Sequence, residues 1–169
     1  ESEERNKRSL DQLRSIMEGT ASDTGDKFLQ SLVFNLADSL KVNFAFLGNL
    51  DGRVNKTVAF WSKDKFQPNV EYDISGTPCE KVIGKNEIHI YPKDVQKEFP
   101  GDHILSELGV QSYLGVPLTN ESKEVIGNLV VMDTKPMEDP STSEMILAIF
   151  AARVEAELAR KYAEEALLK

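Results

Sequence analysis

The chain is poor in the residues that do most chemistry. Its 169 residues include one cysteine, Cys79, and two histidines, His89 and His103. A lone cysteine excludes an internal disulfide and leaves a thiolate metal cluster without ligands. Two histidines with no Cys/His spacing around them do not supply the three or four convergent ligands of a zinc site. No run of Lys or Arg interrupts a formal charge of -8, so a phosphate backbone or an anionic lipid surface would be repelled. No apolar run approaches the roughly 20 residues that span a bilayer, and no secretory leader is recognisable. Gly-x-Ser-x-Gly, phosphate-loop and His-Glu-x-x-His patterns are missing too. The expectation is a cytoplasmic, non-catalytic domain with no nucleic-acid or membrane partner. No metal or cofactor is required by these residues.

What is there suffices for one packed domain, because 40% of the residues are apolar and only 28% are charged. The stretch from Gly109 to Asp133 organises the rest. Gly-Val-Gln-Ser-Tyr-Leu-Gly-Val-Pro-Leu and Val-Ile-Gly-Asn-Leu-Val-Val-Met-Asp flank a short polar loop, the sequence form of a β-hairpin. Both runs are apolar on nearly every residue, which predicts a sheet covered on both faces. Gly115 and Gly127 interrupt them, and a strand glycine usually marks a close approach by another group.

The remaining elements follow in order. Glu1 to Glu18 reads as a connector helix from an upstream domain, with Leu10, Leu13, Ile16 and Met17 at helical spacing. The opening residue is Glu1, so the sequence is expected to be part of a longer protein. Asp26 to Leu40 carries a full apolar stripe from Phe28 to Leu40 and predicts a helix lying on the sheet. Val42 to Leu50 and Val54 to Ser62 form a hairpin around Asp51-Gly52. Lys63 to Asn69 reads as loop, and Val70 to Asp73 as a short extended piece. Thr77-Pro78-Cys79-Glu80 predicts a capping box, with Gly84 ending the helix. Glu87 to Tyr91 is a strand, and short helical turns cover Lys93 to Phe99 and Asp102 to Leu108. Ser141 and Glu144 form a second capping box for the last helix. Leu147, Ala151, Val154, Leu158 and Tyr162 mark one seam along it, widened at the start by Ile146, Ile149 and Phe150. The first half should therefore pack on the domain and the second half project as a dimeric coiled coil.

Several of these segments, taken together, resemble a bacterial GAF domain. They are Phe28-Leu29-Gln30-Ser31-Leu32-Val33, Gly76-Thr77-Pro78-Cys79-Glu80, Phe99-Pro100-Gly101-Asp102, Ser112 to Leu118, Val125 to Asp133, and Ile149 to Arg153. The resemblance implies an α+β, PAS-like fold: a six-stranded antiparallel sheet with the N- and C-terminal helices on one face. Short helices would cover a small-molecule pocket on the other face. The domain would run from residue 19 to 158, and 159–169 resembles the start of a coiled-coil signalling linker. The implied setting is a sensor histidine kinase or diguanylate cyclase, dimeric through its terminal helices, with an output domain downstream.

Trp61, Tyr72, Tyr91 and Tyr113 are the candidate pocket lining, with Cys79 and His103 near the rim. Aromatics with polar tips suit a ligand pocket or plain packing, and packing is the commoner use because buried aromatics dominate ordinary cores. A thiol near a helix N-terminus is acidified, and some GAF relatives attach a linear tetrapyrrole through a cysteine commonly followed by histidine. Here Glu80 follows and opposes that shift, so Cys79 reads as structural. GAF proteins that reduce free methionine sulfoxide use several cysteines, and one leaves no resolving partner. Haem needs a single axial residue, which either histidine could provide. Cyclic-nucleotide relatives carry an Asn-Lys pair followed by spaced Phe and Asp-Glu; Asn55-Lys56 stands here without them. Three functions remain open: a ligand sensor acting through the last helix, a ligandless dimerisation spacer, and a chromophore or haem sensor.

Overall fold

The computed structural model describes residues 25–167. The connector helix expected over residues 1–18 lies outside them. The described elements run α1 (Gly25–Leu40), β1 (Phe44–Asp51), β2 (Val54–Ser62), β3 (Lys65–Phe66), β4 (Glu71–Asp73) and α2 (Pro78–Lys85). They continue with β5 (His89–Tyr91), α3 (Val95–Glu98), α4 (His103–Leu108), β6 (Ser112–Thr119), β7 (Val125–Asp133) and α5 (Pro140–Leu167). The strands form one antiparallel sheet in the order β3-β2-β1-β7-β6-β5, with β4 also paired to β2.

This is the α+β architecture implied above, with seven strands where six were expected. The additional edge strand, Lys65–Phe66, falls in the segment read as loop. Lys63 turns left-handed (φ 62°), which reverses the chain so that Phe66 pairs with Trp61. A pair this short leaves no periodicity to read.

Each face of the sheet has its own apolar layer. Phe28, Leu29, Leu32, Val33 and Leu36 of α1 and Ile146, Leu147, Phe150 and Val154 of α5 pack on one face. They meet Leu114, Val116 and Leu118 of β6 and Leu129 and Val131 of β7. The alternate residues, Tyr113, Val130 and Met132, meet Val82 and Ile83 of α2, Val95 of α3 and Leu105 of α4 on the other face. Continuous apolar strands are therefore used on both sides. Such burial contributes about 1.5–3 kcal/mol per large aliphatic side chain.

The helix ends differ in detail from the sequence reading. Thr77 donates its hydroxyl to the Ile74 carbonyl (2.6 Å) and makes no side-chain cap. Glu80 reaches back to the Gly76 amide (3.3 Å) and to Arg53, so the expected capping box does not form. Gly84 lies inside α2, and Asn86 ends it in the left-handed region (φ 51°). At α5 the cap is Asp139, which accepts from the Thr142 amide and hydroxyl, and not the Ser141/Glu144 pair. The α4 cap is as read: Asp102 accepts from the Ile104 and Leu105 amides, and Gly109 closes the helix (φ 68°).

The first half of α5 packs on the domain as expected, and that contact runs further along the seam. Leu147, Ala151 and Val154 are buried, and Leu158 packs against the same core. Only Tyr162, 48% exposed, stands clear.

Candidate functional site

The face under the short helices carries an unusual row of buried polar groups. Alternation along β6 turns Tyr113 toward α2, because Leu114, Val116 and Leu118 face α1 and α5. The Tyr113 ring lies along the strand over Gly115, where a β-carbon would stand 2.6 Å from the phenol oxygen. The close approach expected at Gly115 is thus made by a side chain of the same strand. At Gly127 it is made by the Gly48 carbonyl of β1.

Cys79, second residue of α2, descends between two phenols. Its Sγ lies 3.1 Å from Tyr72 Oη and 3.3 Å from Tyr113 Oη. Asn55 Nδ2 donates to Tyr72 Oη (2.8 Å) and to Asn128 Oδ1 (3.0 Å). Asn55, from β2, and Asn128, from β7, are fully buried. Their remaining amide atoms, Asn55 Oδ1 and Asn128 Nδ2, have no hydrogen-bond partner, and neither does His89 Nε2. The nearest carboxylate oxygen to that imidazole nitrogen, on Glu87, is 3.8 Å away.

Burial pushes the Cys79 thiol up, and its contacts with the Tyr113 and Tyr72 hydroxyls only partly offset it. Burial, reinforced by the adjacent thiol, holds both Tyr72 and Tyr113 well above the ordinary phenol value. All three groups are protonated at neutral pH. The row is an uncharged hydrogen-bond chain with no thiolate nucleophile in it. Burial also raises Asp102 at the cavity edge, against the two amides it caps.

Beside this row is a cavity of about 40 Å³, bordered by Phe46, Phe60, Tyr72, Cys79, Tyr113 and Met132. That is room for roughly three water molecules, against the ~300 Å³ or more of an ordinary ligand pocket. Larger hollows lie elsewhere: a groove of about 560 Å³ between the β6–β7 loop and α5, and one of about 340 Å³ beside the β7–α5 connection. The buried polar pair at the second, Ser112 and Asp133, is hydrogen-bonded, and no unpartnered buried polar atom of the described residues lines either groove. The face of the smaller cavity is therefore the chemically distinctive place.

Of the six residues expected at the pocket, Tyr72, Cys79 and Tyr113 are brought together at this cavity. Tyr91 shares their face and meets Tyr113 edge-on at 6.1 Å, but does not reach the cavity. Trp61 is on the opposite face, against Phe34 (4.8 Å) and Phe66 (5.1 Å), because β2 turns Phe60 toward the cavity and Ala59 and Trp61 toward α1. His103 is exposed on α4, while its neighbours Asp102 and Ile104 border the cavity. Asn55 and Asn128 lie outside the pocket lining expected from the sequence. The signal was Asn128 itself, the one amide in the apolar run Val125 to Met132. In the Asn55-Lys56 pair the two side chains part: Asn55 is buried and Lys56 meets Asp51 at 3.4 Å.

At this cavity the residues supply neither a reactive thiol for a linked tetrapyrrole nor an axial imidazole for haem. Cys79 is buried and neutral, and neither histidine borders the cavity. Among the described residues no group of three or more His, Cys, Asp or Glu side chains could hold a metal ion, and no helix is long and apolar enough to cross a membrane.

An antiparallel sheet with a bundled pair of terminal helices on one face and short helices over a cavity on the other defines a sensory-domain class of fold. The GAF domain pattern matches residues 25–158, and the chain belongs to the GAF domain family. No curated protein matches it in sequence. Solved structures agree on the fold. The GAF domain of an Acinetobacter phosphoenolpyruvate-protein phosphotransferase superposes with a TM-score of 0.76 at 24% identity, over 94% of this chain and 97% of that one. The equivalent domain from Coxiella burnetii gives 0.78 at 18% identity, over 94% and 97%. A free methionine-R-sulfoxide reductase from Neisseria meningitidis, in complex with its substrate, gives 0.70 at 18% identity, over 91% of each chain. The fold therefore serves an enzyme as well as regulatory domains, and function rests on the site.

Proposed function

We propose that the chain is a non-catalytic sensory module of a larger cytoplasmic signalling protein, of the sensor-kinase or diguanylate-cyclase kind. A small molecule entering the cavity displaces the aromatic row, and α5 carries the change to an output domain. The observation behind this reading is the buried Asn55/Asn128 pair with unmet hydrogen bonds. Each unmet buried polar group costs about 1–3 kcal/mol, which a domain needing only packing would remove with apolar residues. Such exceptions gather where function requires them.

α5 suits the transmitting role. Its inner side is held by the core, and Glu155 Oε2 accepts from both the amide (2.6 Å) and hydroxyl (2.8 Å) of Thr119, tying it to β6. Its outer side carries Met145, Ile149, Ala152, Ala156, Ala159 and Ala163 at alternating steps of four and three. Met145 and Ile149 are 46% and 37% exposed. This is the free heptad seam, and it supports a homodimer through α5.

A second reading, a ligandless dimerisation spacer, is favoured by the small cavity volume. Mass spectrometry of the native protein beside the denatured chain, with a visible spectrum, separates the readings. A retained small molecule, or a thermal shift on metabolite screening, supports the sensor. An empty, colourless protein unmoved by any compound supports the spacer. Light scattering of Ile149→Glu tests the seam: a dimer should become a monomer.

A further inference from the structure

We infer that the Tyr72–Cys79–Tyr113 row is a gate, and that the molecule it admits is small and uncharged, with a hydrogen-bond donor beside an acceptor, as in a lactam or carboxamide. The inference rests on the sensory reading above and names its ligand class. The row crosses the sheet from β4 to β6 with α2 supplying its middle member. The open cavity lies on the side of Phe46, Thr57 and Met132. Further along the same strands and on the same face, Gly115 lies level with Phe46 and Val130, and Gly48, Asn55 and Asn128 lie beyond them. The Asn55 amide covers Gly48, where any β-carbon would collide with it.

Behind the row, Asn55 Oδ1 is an unpaired acceptor and Asn128 Nδ2 an unpaired donor, both on fully buried side chains. His89 Nε2, on β5 opposite Gly115, is a third unpaired atom on this face. The gate is held by two thiol–phenol contacts, and sulfur is a weak hydrogen-bond partner. Rotating Tyr113 off Gly115 joins the cavity to the amides. An N–H of the ligand then reaches Asn55 Oδ1, and its carbonyl accepts from Asn128 Nδ2. At the cavity itself a charged ligand has no free counter-ion, since no Lys, Arg or His among the described residues lines it. The one carboxylate bordering the cavity, Asp102, is occupied in capping α4.

The test titrates the full chain with 2-piperidone, with N-methyl-2-piperidone, which lacks the donor, and with toluene. The readouts are the side-chain amide signals of Asn55 and Asn128 and the melting temperature. The lactam should move both amide signals and bind at least tenfold more tightly than its N-methyl analogue. Asn128→Leu should abolish that preference; the comparison in the unaltered protein stands even if this variant misfolds. Equal affinity for the two piperidones overturns the inference, as does a lactam response confined to Phe46 and Met132. Toluene binding without lactam binding overturns the ligand class and leaves the sensory reading intact. No response to any probe, with no molecule retained from cells, overturns both.

Discussion

Replacing Gly115 by alanine tests the placement of Tyr113 directly. The backbone at 115 lies outside the left-handed region, so it accepts alanine, and in a strand that change alone should stabilise by about 0.5–1 kcal/mol. Against this, the new β-carbon would stand 2.6 Å from Tyr113 Oη and 2.9 Å from Cε1. Tyr113 is only 1% exposed, so its ring yields only by swinging out of its packed position and giving up its contacts there. Overpacking of this kind costs about 1–3 kcal/mol. Loss of the Tyr113–Cys79 contact adds about 0.5–1.5 kcal/mol. The net expectation is destabilisation by about 0.5–4 kcal/mol, centred at about 2, or roughly 1–16 °C in Tm for a domain of this size. Urea unfolding followed by the single tryptophan, Trp61, measures it from the opposite face of the sheet. A Gly115→Ala protein as stable as the parent, or more so, would refute the position of the ring. In a Tyr113→Leu background the same change should be neutral or stabilising; a persisting cost would implicate a group other than the phenol.

Other consequences are open to equally simple measurement. Tyr72, Cys79 and Tyr113 all have folded-state values above their ordinary 10.0, 9.0 and 10.0, so the unfolded chain sheds these protons first. Their contribution to stability is complete below about pH 9 and falls as pH rises past it. The urea midpoint should therefore drop between pH 9 and 10, less steeply in a Tyr72→Phe/Cys79→Ala variant, and an unchanged slope would sink this account. Asp102→Ala should cost about 1 kcal/mol by removing the α4 cap, whereas Asp102→Asn should cost a fraction of that; equal losses in thermal melts would show that the cap is not the cause. Glu155→Ala removes two hydrogen bonds to Thr119 and should cost about 1–3 kcal/mol. Hydrogen exchange should quicken at the Thr119 amide first, and uniform quickening across the sheet would contradict a local tie.

The strands and helices were legible because their signals are local. The stripe of α1, the Asp51-Gly52 turn and the two continuous runs of β6 and β7 each show their period within a few residues. Helix ends were less legible. Thr77 and Ser141 have the residue types of caps, yet Thr77 bonds Ile74 and the α5 cap is Asp139, because several oxygens compete for the same few amides. Packing of the first half of α5 on the domain was legible from its widened apolar surface, but how far along the helix the contact runs was not. Leu158 packs against the core as well, and the reach of such a contact depends on partners far away in sequence.

The amino-acid sequence by itself determined the element order, the two-faced sheet and membership of a domain family, since those follow from periodicity and motif order along the chain. Only the tertiary structure decided the site. Strand parity sent Trp61 away from the cavity and Phe60 toward it, a choice set by which sheet face α1 covers. Asn55, Cys79, Tyr113 and Asn128 come from four separate elements, and nothing local marks them as neighbours. Their meeting, with two amide atoms left unpaired beneath a closed aromatic row, is a property of packing alone.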